Sequence, residues 1–236
     1  MRFCIINFRK LSIVIFSILL FSVFVSGMGY ALLTDVYAVK DYQPIYNGNK
    51  STNKIAITCN VYEGDETIRT ILDVCQQKGI TITFFVGGVW AKNHPQLLRE
   101  MAKNHEIGSH GYNHLAHDKM SLAENLAEMK KAEEMIEGII CKEITLFAPP
   151  SGAFNDNTLK ACEQLGYKTI MWSKDTIDWR DKDERLIFKR ATNKVSGGEF
   201  ILIHPKKWTA KIFIDIVEYY TSINLIPTTV SNCLIQ

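Results

Sequence analysis

The chain has 236 residues, of which 47% are hydrophobic and 22% are charged, and its formal net charge is +2. This length and composition suit one globular domain of roughly 200 residues plus an additional segment. No basic stripe stands apart from the acidic residues, so the chain gives no reason to expect nucleic acid as a partner.

The first 34 residues predict an export signal or a membrane anchor. Basic residues up to Lys10 precede an apolar run over residues 11–25, and the next charged residue is Asp35. Basic, apolar and then small residues is the order of a signal peptide, and cleavage after Ala31 fits it. The uncharged run over residues 11–33 is also long enough to span a bilayer as an uncleaved anchor. Either outcome places the domain outside the cytoplasm, membrane-anchored or secreted.

Residues 35–51 are polar and predict a linker, and residues 52–236 predict the domain. In the domain, strand-like runs alternate with helical patterns at about 65–78, 92–104, 121–138, 155–165, 183–195 and 209–222. The strand-like runs are KIAITCN, ITITFFV, ITLFAP, KTIMWS, EFILIH and NLIPTTV. This alternation predicts an α/β fold with parallel strands and crossover helices. Six or seven units in about 180 residues favour a deformed (β/α) barrel, closed or incomplete.

Polar residues follow several of these strands. The segments are Asn60–Glu66, His110–His114, Ala148–Gly152, Asp175–Asp178 and the strand-end His204. In a (β/α) barrel, functional side chains gather in the loops after the C-terminal ends of the strands. The sequence therefore predicts that these five segments converge on one face.

The pair His110 and His114 is the most informative pattern in the chain. Two imidazoles four residues apart on one helical turn point the same way, so both can bind one divalent metal. The alternative is a pair of structural histidines satisfied by hydrogen bonds.

With these motifs the chain resembles the polysaccharide deacetylases, the NodB-homology domain of carbohydrate esterase family 4, over about residues 52–230. His110-Gly-Tyr-Asn-His114 matches the family's His-x3-His metal motif. Leu202-Ile-His204 matches its Leu-x-His motif, and Asp175-Thr-Ile-Asp178-Trp179 matches its Asp-x-x-Asp-Trp segment. The local wording is most similar to the sporulation-associated bacterial branch.

The resemblance implies a deformed NodB-type barrel with a divalent metal, usually zinc. It also implies removal of acetyl groups from peptidoglycan or a chitin-like polymer by hydrolysis of a non-peptide C–N bond. In that role His110 and His114 bind the metal, with Glu63 as the candidate third ligand, and His204 is the general acid. Asp178 is a candidate catalytic group, and the candidate substrate-binding residues are Leu202, Tyr112, Trp179 and Ser151.

Two motifs depart from the family pattern. The first usually reads Thr-Phe-Asp-Asp-Gly, and here Asn60 stands where the catalytic base belongs; an amide cannot take a proton from water at neutral pH. In the third motif, Ala148 replaces the arginine that pairs with the base. The two losses are consistent with each other, because an arginine without the carboxylate of the base would be an uncompensated buried charge.

Three interpretations stay open. The chain is a hydrolase whose site is rebuilt around Glu63, Asp65 or Asp178 as the base, a catalytically inactive glycan-binding envelope protein on the same barrel, or a purely structural envelope protein.

Overall fold

The structure is a computed structural model that describes residues 16–24 and 43–235. The chain divides into two compact units, Met1–Asp41 and Tyr42–Gln236. In the first unit, residues 16–24 form helix α1, whose apolar side chains are exposed. Helix α1 falls inside the predicted signal or anchor, while the predicted cleavage after Ala31 lies outside the described residues. Among the described residues, no helix has the length and apolar character needed to cross a membrane.

The second unit is built on a curled parallel sheet. Its strands are β1 (Lys54–Val61), β2 (Thr83–Val86), β3 (Glu106–Ser109), β4 (Leu146–Phe147), β5 (Lys168–Thr169), β6 (Lys174–Asp175), β7 (Phe200–Ile203) and β8 (Ile226–Thr228). The order is β5-β4-β3-β2-β1-β7-β6, and β8 also pairs with β1. All of these pairs are parallel. Within the described part of the chain β5 and β6 do not pair with each other, so the predicted barrel is incomplete.

Helices connect the strands, as the alternating pattern predicts. They are α2 (Glu66–Lys78), α3 (Gly88–Asn93), α4 (Pro95–Asn104), α5 (Leu122–Ile140), α6 (Asp156–Gln164), α7 (Glu184–Thr192), α8 (Lys207–Ser222) and α9 (Val230–Leu234). Helix α5 begins with a capping box, in which the Ser121 hydroxyl accepts from the Glu124 N–H and the Glu124 carboxylate accepts from the Ser121 N–H. The helix predicted over 92–104 is two helices, because a new helix starts at Pro95, whose ring suits the first helical position.

Strand β1 lies at the centre of the sheet and separates two apolar layers. Its odd-numbered residues, from Ile55 to Val61, belong to the large core beneath the helices. Ala56 belongs to a smaller cluster with Phe85 and Phe200 on the other face. Because side chains alternate along a strand, Asn60 lies on the same face as Ala56, near the C-terminal end of the strand.

The last part of the predicted linker is packed onto the domain. Ile45 forms a parallel bridge with Ile170, and the N–H of Gly48 donates to the carbonyl of Gly198 at 2.6 Å. The N–H of Asn49 donates to Cys233 O at 2.8 Å. Ile45, Gly48 and Asn49 thus bond to the domain through their backbones, which the polar composition of this segment did not reveal.

The predicted strand KTIMWS, residues 168–173, is a strand in the structure only at its start. Lys168–Thr169 pairs with β4 as β5, whereas Lys174–Asp175 pairs with β7 as β6. Between them, Ile170 forms a parallel bridge with Ile45, and its N–H donates to the carbonyl of Phe147 on β4 at 2.8 Å.

Candidate active site

A cavity of about 230 Å³ opens at the C-terminal ends of the strands. It brings together residues from β1, the β3–α5 connection, the segment after β4, and β6 and β7. The lining residues are Asn60, Tyr62, His110, His114, Ser151, Trp172, Asp175, Trp179, Leu202 and His204. Seven of these ten are predicted site residues, and the roles assigned to them stay predictions.

The two histidines meet in a way that the sequence did not predict. Residues 110–114 form a loop and not a turn of helix, with Gly111 at φ +71° and His114 at φ +58°. The rings of His110 and His114 nevertheless lie with their centroids 5.0 Å apart. The prediction of one helical turn is therefore wrong, while the closeness of the two rings has another cause.

That cause is a buried carboxylate on α5. Glu128 accepts hydrogen bonds from the backbone N–H groups of Tyr112 and Asn113, and from the Asn113 side chain at 3.0 Å. From the other side, the N–H of Gly88 donates to the carbonyl of Gly111 at 2.9 Å. These bonds hold the loop in its left-handed conformation, which a non-glycine residue such as His114 adopts only when its surroundings impose it.

Burial shapes the electrostatics of both rings. His110 is 1% exposed, and burial, with a smaller contribution from His114, lowers its pKa to about 3. Burial also lowers the pKa of His114. The Nδ1 of His110 donates to the carbonyl of Ala148 at 2.7 Å, because a carbonyl oxygen only accepts. At neutral pH the His110 ring is therefore neutral, with Nε2 as its lone-pair nitrogen.

His204 is held by the carboxylate of Asp178, which has no exposed surface. The Nδ1 of His204 donates to Asp178 Oδ1 at 2.7 Å, and its backbone N–H donates to Oδ2 at 2.7 Å. The hydroxyl of Thr209 donates to the same Oδ2 at 2.6 Å. With Nδ1 occupied, Nε2 of His204 is the nitrogen available to a ligand. Asp178 thus orients His204, and neither of its oxygens is free to act as a base.

The described residues do not fit a three-ligand metal centre. Glu63, the predicted third ligand, is 44% exposed at its side chain and forms an ion pair with Lys206 outside the cavity lining. Across the described ranges, no group of three or more histidine, cysteine or acidic side chains is placed to hold a metal. A catalytic zinc ion needs three protein ligands. His110, His114, Asp175 and His204 all line the cavity, but among the described residues no three such side chains are grouped to hold a metal.

Two further predictions need correction. The backbone N–H of Tyr112 is bonded to Glu128, and its ring is buried beneath Lys131, so Tyr112, predicted to bind substrate, does not line the cavity. Asp65, a candidate base, pairs with Arg69 at 3.3 Å instead. Among the described acidic residues, the cavity is lined by Asp175 alone, and one oxygen of Asp175 accepts from the N–H of Ile177 at 2.7 Å.

Sequence reasoning missed three lining residues as site residues: Tyr62, Trp172 and Asp175. Tyr62 lies two residues after Asn60, so the alternation of a strand places both on the same face. Its ring centroid is 4.1 Å from that of His114. Asp175 stood inside the matched Asp-x-x-Asp-Trp segment, but no local signal separated it from the buried Asp178. No local signal distinguished Trp172 from a core residue.

Comparison with known proteins identifies the family to which the chain is similar. The model of the polysaccharide deacetylase family matches residues 47–170, more than half of the chain. The uncharacterized protein YlxY of Bacillus subtilis is 35% identical over 170 residues, which cover 72% of this chain and 53% of that protein. The peptidoglycan-N-acetylmuramic acid deacetylase PdaA of Bacillus subtilis is 30% identical, covering 70% of this chain and 65% of PdaA. The chain therefore spans between about half and two thirds of the length of these relatives.

Solved structures agree in fold. A CE4 family pseudoenzyme from Bacillus anthracis superposes with a TM-score of 0.80 at 28% identity, covering 83% of this chain and 70% of the other. A mutant of that pseudoenzyme, described as having restored enzymatic activity, superposes with the same TM-score at 26% identity, covering 83% of this chain and 72% of the mutant. The family match over residues 47–170 and the shared fold agree, and the chain belongs to the polysaccharide deacetylase family.

Proposed function

We propose that this chain binds an N-acetylated glycan of the peptidoglycan type in the cavity and retains it without removing the acetyl group. The observation that carries the proposal is that the cavity keeps the residues that suit a proton donor but lacks the base. It keeps the His204–Asp178 pair, which suits proton donation to a leaving group, and it has Asn60 where a base is needed. A carboxamide has no proton affinity at neutral pH, so the water attack on the acetyl carbon lacks its proton acceptor.

The surrounding carboxylates support this interpretation. Asp178 is engaged with His204 and Thr209, and Glu63 is paired with Lys206. Deacetylases of this family generally depend on a metal, and the two neutral histidines do not provide a three-ligand site. The likeness to the Bacillus anthracis pseudoenzyme is in keeping with binding without turnover. The likeness to PdaA supports peptidoglycan as the ligand class.

Aromatic side chains supply the binding surface. Trp179 is 51% exposed and Tyr62 is 42% exposed, and both line the cavity. Aromatic faces of this kind bury large apolar areas, and a pyranose ring offers a matching C–H face. Leu202, which also lines the cavity, offers an apolar surface to the methyl group of the acetyl.

Hydrolysis of the acetamide is the second candidate function, because His204 and Asp178 are intact and Asp175 is a carboxylate in the same cavity. In this reaction the water oxygen bonds to the acetyl carbon as Asp175 takes the water proton. The C–N bond then breaks as His204 donates a proton to the departing nitrogen, which releases acetate and an amine.

Calorimetric titration and acetate release test the proposal. The full chain is mixed with an N-acetylglucosamine tetramer and with N-acetylated peptidoglycan fragments, with and without zinc. We expect binding of glycan and no released acetate. Trp179→Ala should weaken binding, whereas Tyr46→Ala, at an exposed aromatic residue outside the cavity lining, should not. Acetate release in zinc that disappears in His110→Ala and Asp175→Asn would establish the second candidate instead.

We also propose that the domain acts outside the cytoplasm, held by the apolar N-terminal segment or secreted after its removal. The exposed apolar side chains of α1 support this proposal. Cell fractionation with antibodies against the domain tests it, and a cytoplasmic pool alone would contradict it. The association with sporulation stays a prediction.

A further inference from the structure

The side chain of Asn60 is buried and without a partner in the described part of the chain. The residue is 3% exposed, it lines the cavity, and its Oδ1 accepts no hydrogen bond. A buried acceptor that loses water without gaining a donor costs about 1–3 kcal/mol. Native structures seldom keep such an atom unless a ligand or another group satisfies it.

Two polar groups on the same side of the sheet are already used. Thr58, two residues earlier on the same face of β1, donates its hydroxyl to Ile201 O at 3.1 Å. The Nδ1–H of His110 donates a hydrogen bond to the carbonyl of Ala148. A ligand that enters the cavity can supply the donor that Asn60 Oδ1 lacks.

We propose that Asn60 accepts a hydrogen bond from the amide N–H of the ligand's acetamido group, and so makes the cavity select N-acetyl over O-acetyl sugars. This inference rests on the proposed function and names the chemical group that the cavity recognises. An acetamide and an acetyl ester have nearly the same shape, but the ester oxygen carries no hydrogen. A bound ester would leave Asn60 Oδ1 dry and unpaired, whereas a bound acetamide satisfies it.

The change from carboxylate to carboxamide then has a positive role. In the family pattern this position takes a proton from water, while a carboxamide oxygen only accepts a hydrogen bond and leaves the amide intact. Rejection by an unpaired buried group is also how binding sites gain their largest discrimination. We expect the cavity to prefer an N-acetyl ligand by about 10- to 100-fold through this one contact.

Titration of the full chain in mild detergent and EDTA tests the inference. The two probes are the N-acetylglucosamine tetramer and a xylose tetramer that carries O-acetyl groups. The measured quantity is the ratio of the two dissociation constants and its change on substitution, which removes the contribution of the different sugar rings. Asn60→Leu, of similar size without an acceptor, should lower the preference for the N-acetyl probe by about 10- to 100-fold.

Two variants make the result specific. Asn60→Asp keeps an oxygen acceptor and should keep the preference for the N-acetyl probe, which also covers the case in which Asn60→Leu fails to fold. Thr58→Val removes a buried polar group from the same face of β1 and should leave the ratio unchanged.

The remaining outcomes would overturn the inference. An unchanged ratio in a folded Asn60→Leu protein would remove the role of Asn60 and leave the proposed function standing. Binding that disappears in EDTA and returns with zinc would assign the Asn60 oxygen to a metal. Binding of neither probe would overturn the proposed function and this inference together.

Discussion

His110 makes the stability of the domain depend on pH in a way that can be isolated by one substitution. Burial holds its pKa at about 3 in the folded state, against an ordinary value of 6.5. Between pH 6.5 and about 3, the His110 ring is therefore protonated in the unfolded chain and neutral in the folded chain. The contribution of His110 to the free energy of unfolding is therefore fully present above pH 6.5 and is lost as the pH is lowered toward 3.

The size of the effect at pH 5 follows from the ordinary value alone. Because pH 5 lies above the folded-state pKa, the folded ring stays neutral and only the unfolded chain is protonated. At about 1.36 kcal/mol for each pH unit, lowering the pH from 6.5 to 5 costs about 2 kcal/mol.

His110→Asn is the appropriate variant, since an asparagine amide can replace the Nδ1–H donor to Ala148 and does not titrate. Urea unfolding in EDTA at pH 7 and pH 5 gives the free energy of unfolding for both proteins. We expect the wild type to lose about 2 kcal/mol more than the variant over this interval. His105, His114 and His117 also have lowered pKa values through burial and contribute equally to both proteins. Equal losses in the two proteins would refute the burial argument.

Two further substitutions test the contacts that build the site. Asp178→Ala removes three hydrogen bonds and should lower the free energy of unfolding by about 3–5 kcal/mol in urea titration. Thr209→Val removes only one of these bonds and should cost about 1 kcal/mol. Similar losses in both variants would contradict the central role of Asp178. Glu128→Ala should cost about 3 kcal/mol and weaken glycan binding, because the loop that carries His114 loses its anchor. The matched control is Glu133→Ala on the same helix, which loses one bond to Tyr167 and should bind glycan normally. Equal glycan affinity in the Glu128 and Glu133 variants would show that the anchor has no part in binding.

Much of the architecture was predictable because its causes are local. Alternating apolar runs and helical patterns predicted the parallel α/β sheet. The positions of Asn60, His110 and His204 at strand ends followed from the same alternation. These features depend on periodicity and on contacts within four residues along the chain, which a sequence displays directly.

The sequence by itself determined which residues stand at the carboxyl ends of the strands, including the amide that replaces a base. Only the tertiary structure decided how they are used. Glu63 pairs with Lys206, 143 residues away, and leaves the histidines without a third ligand. His114 takes a left-handed conformation because Glu128 on α5 binds the preceding backbone. Such contacts join distant segments through burial and hydrogen bonding, and no local pattern in the chain encodes which distant partner each polar group will meet.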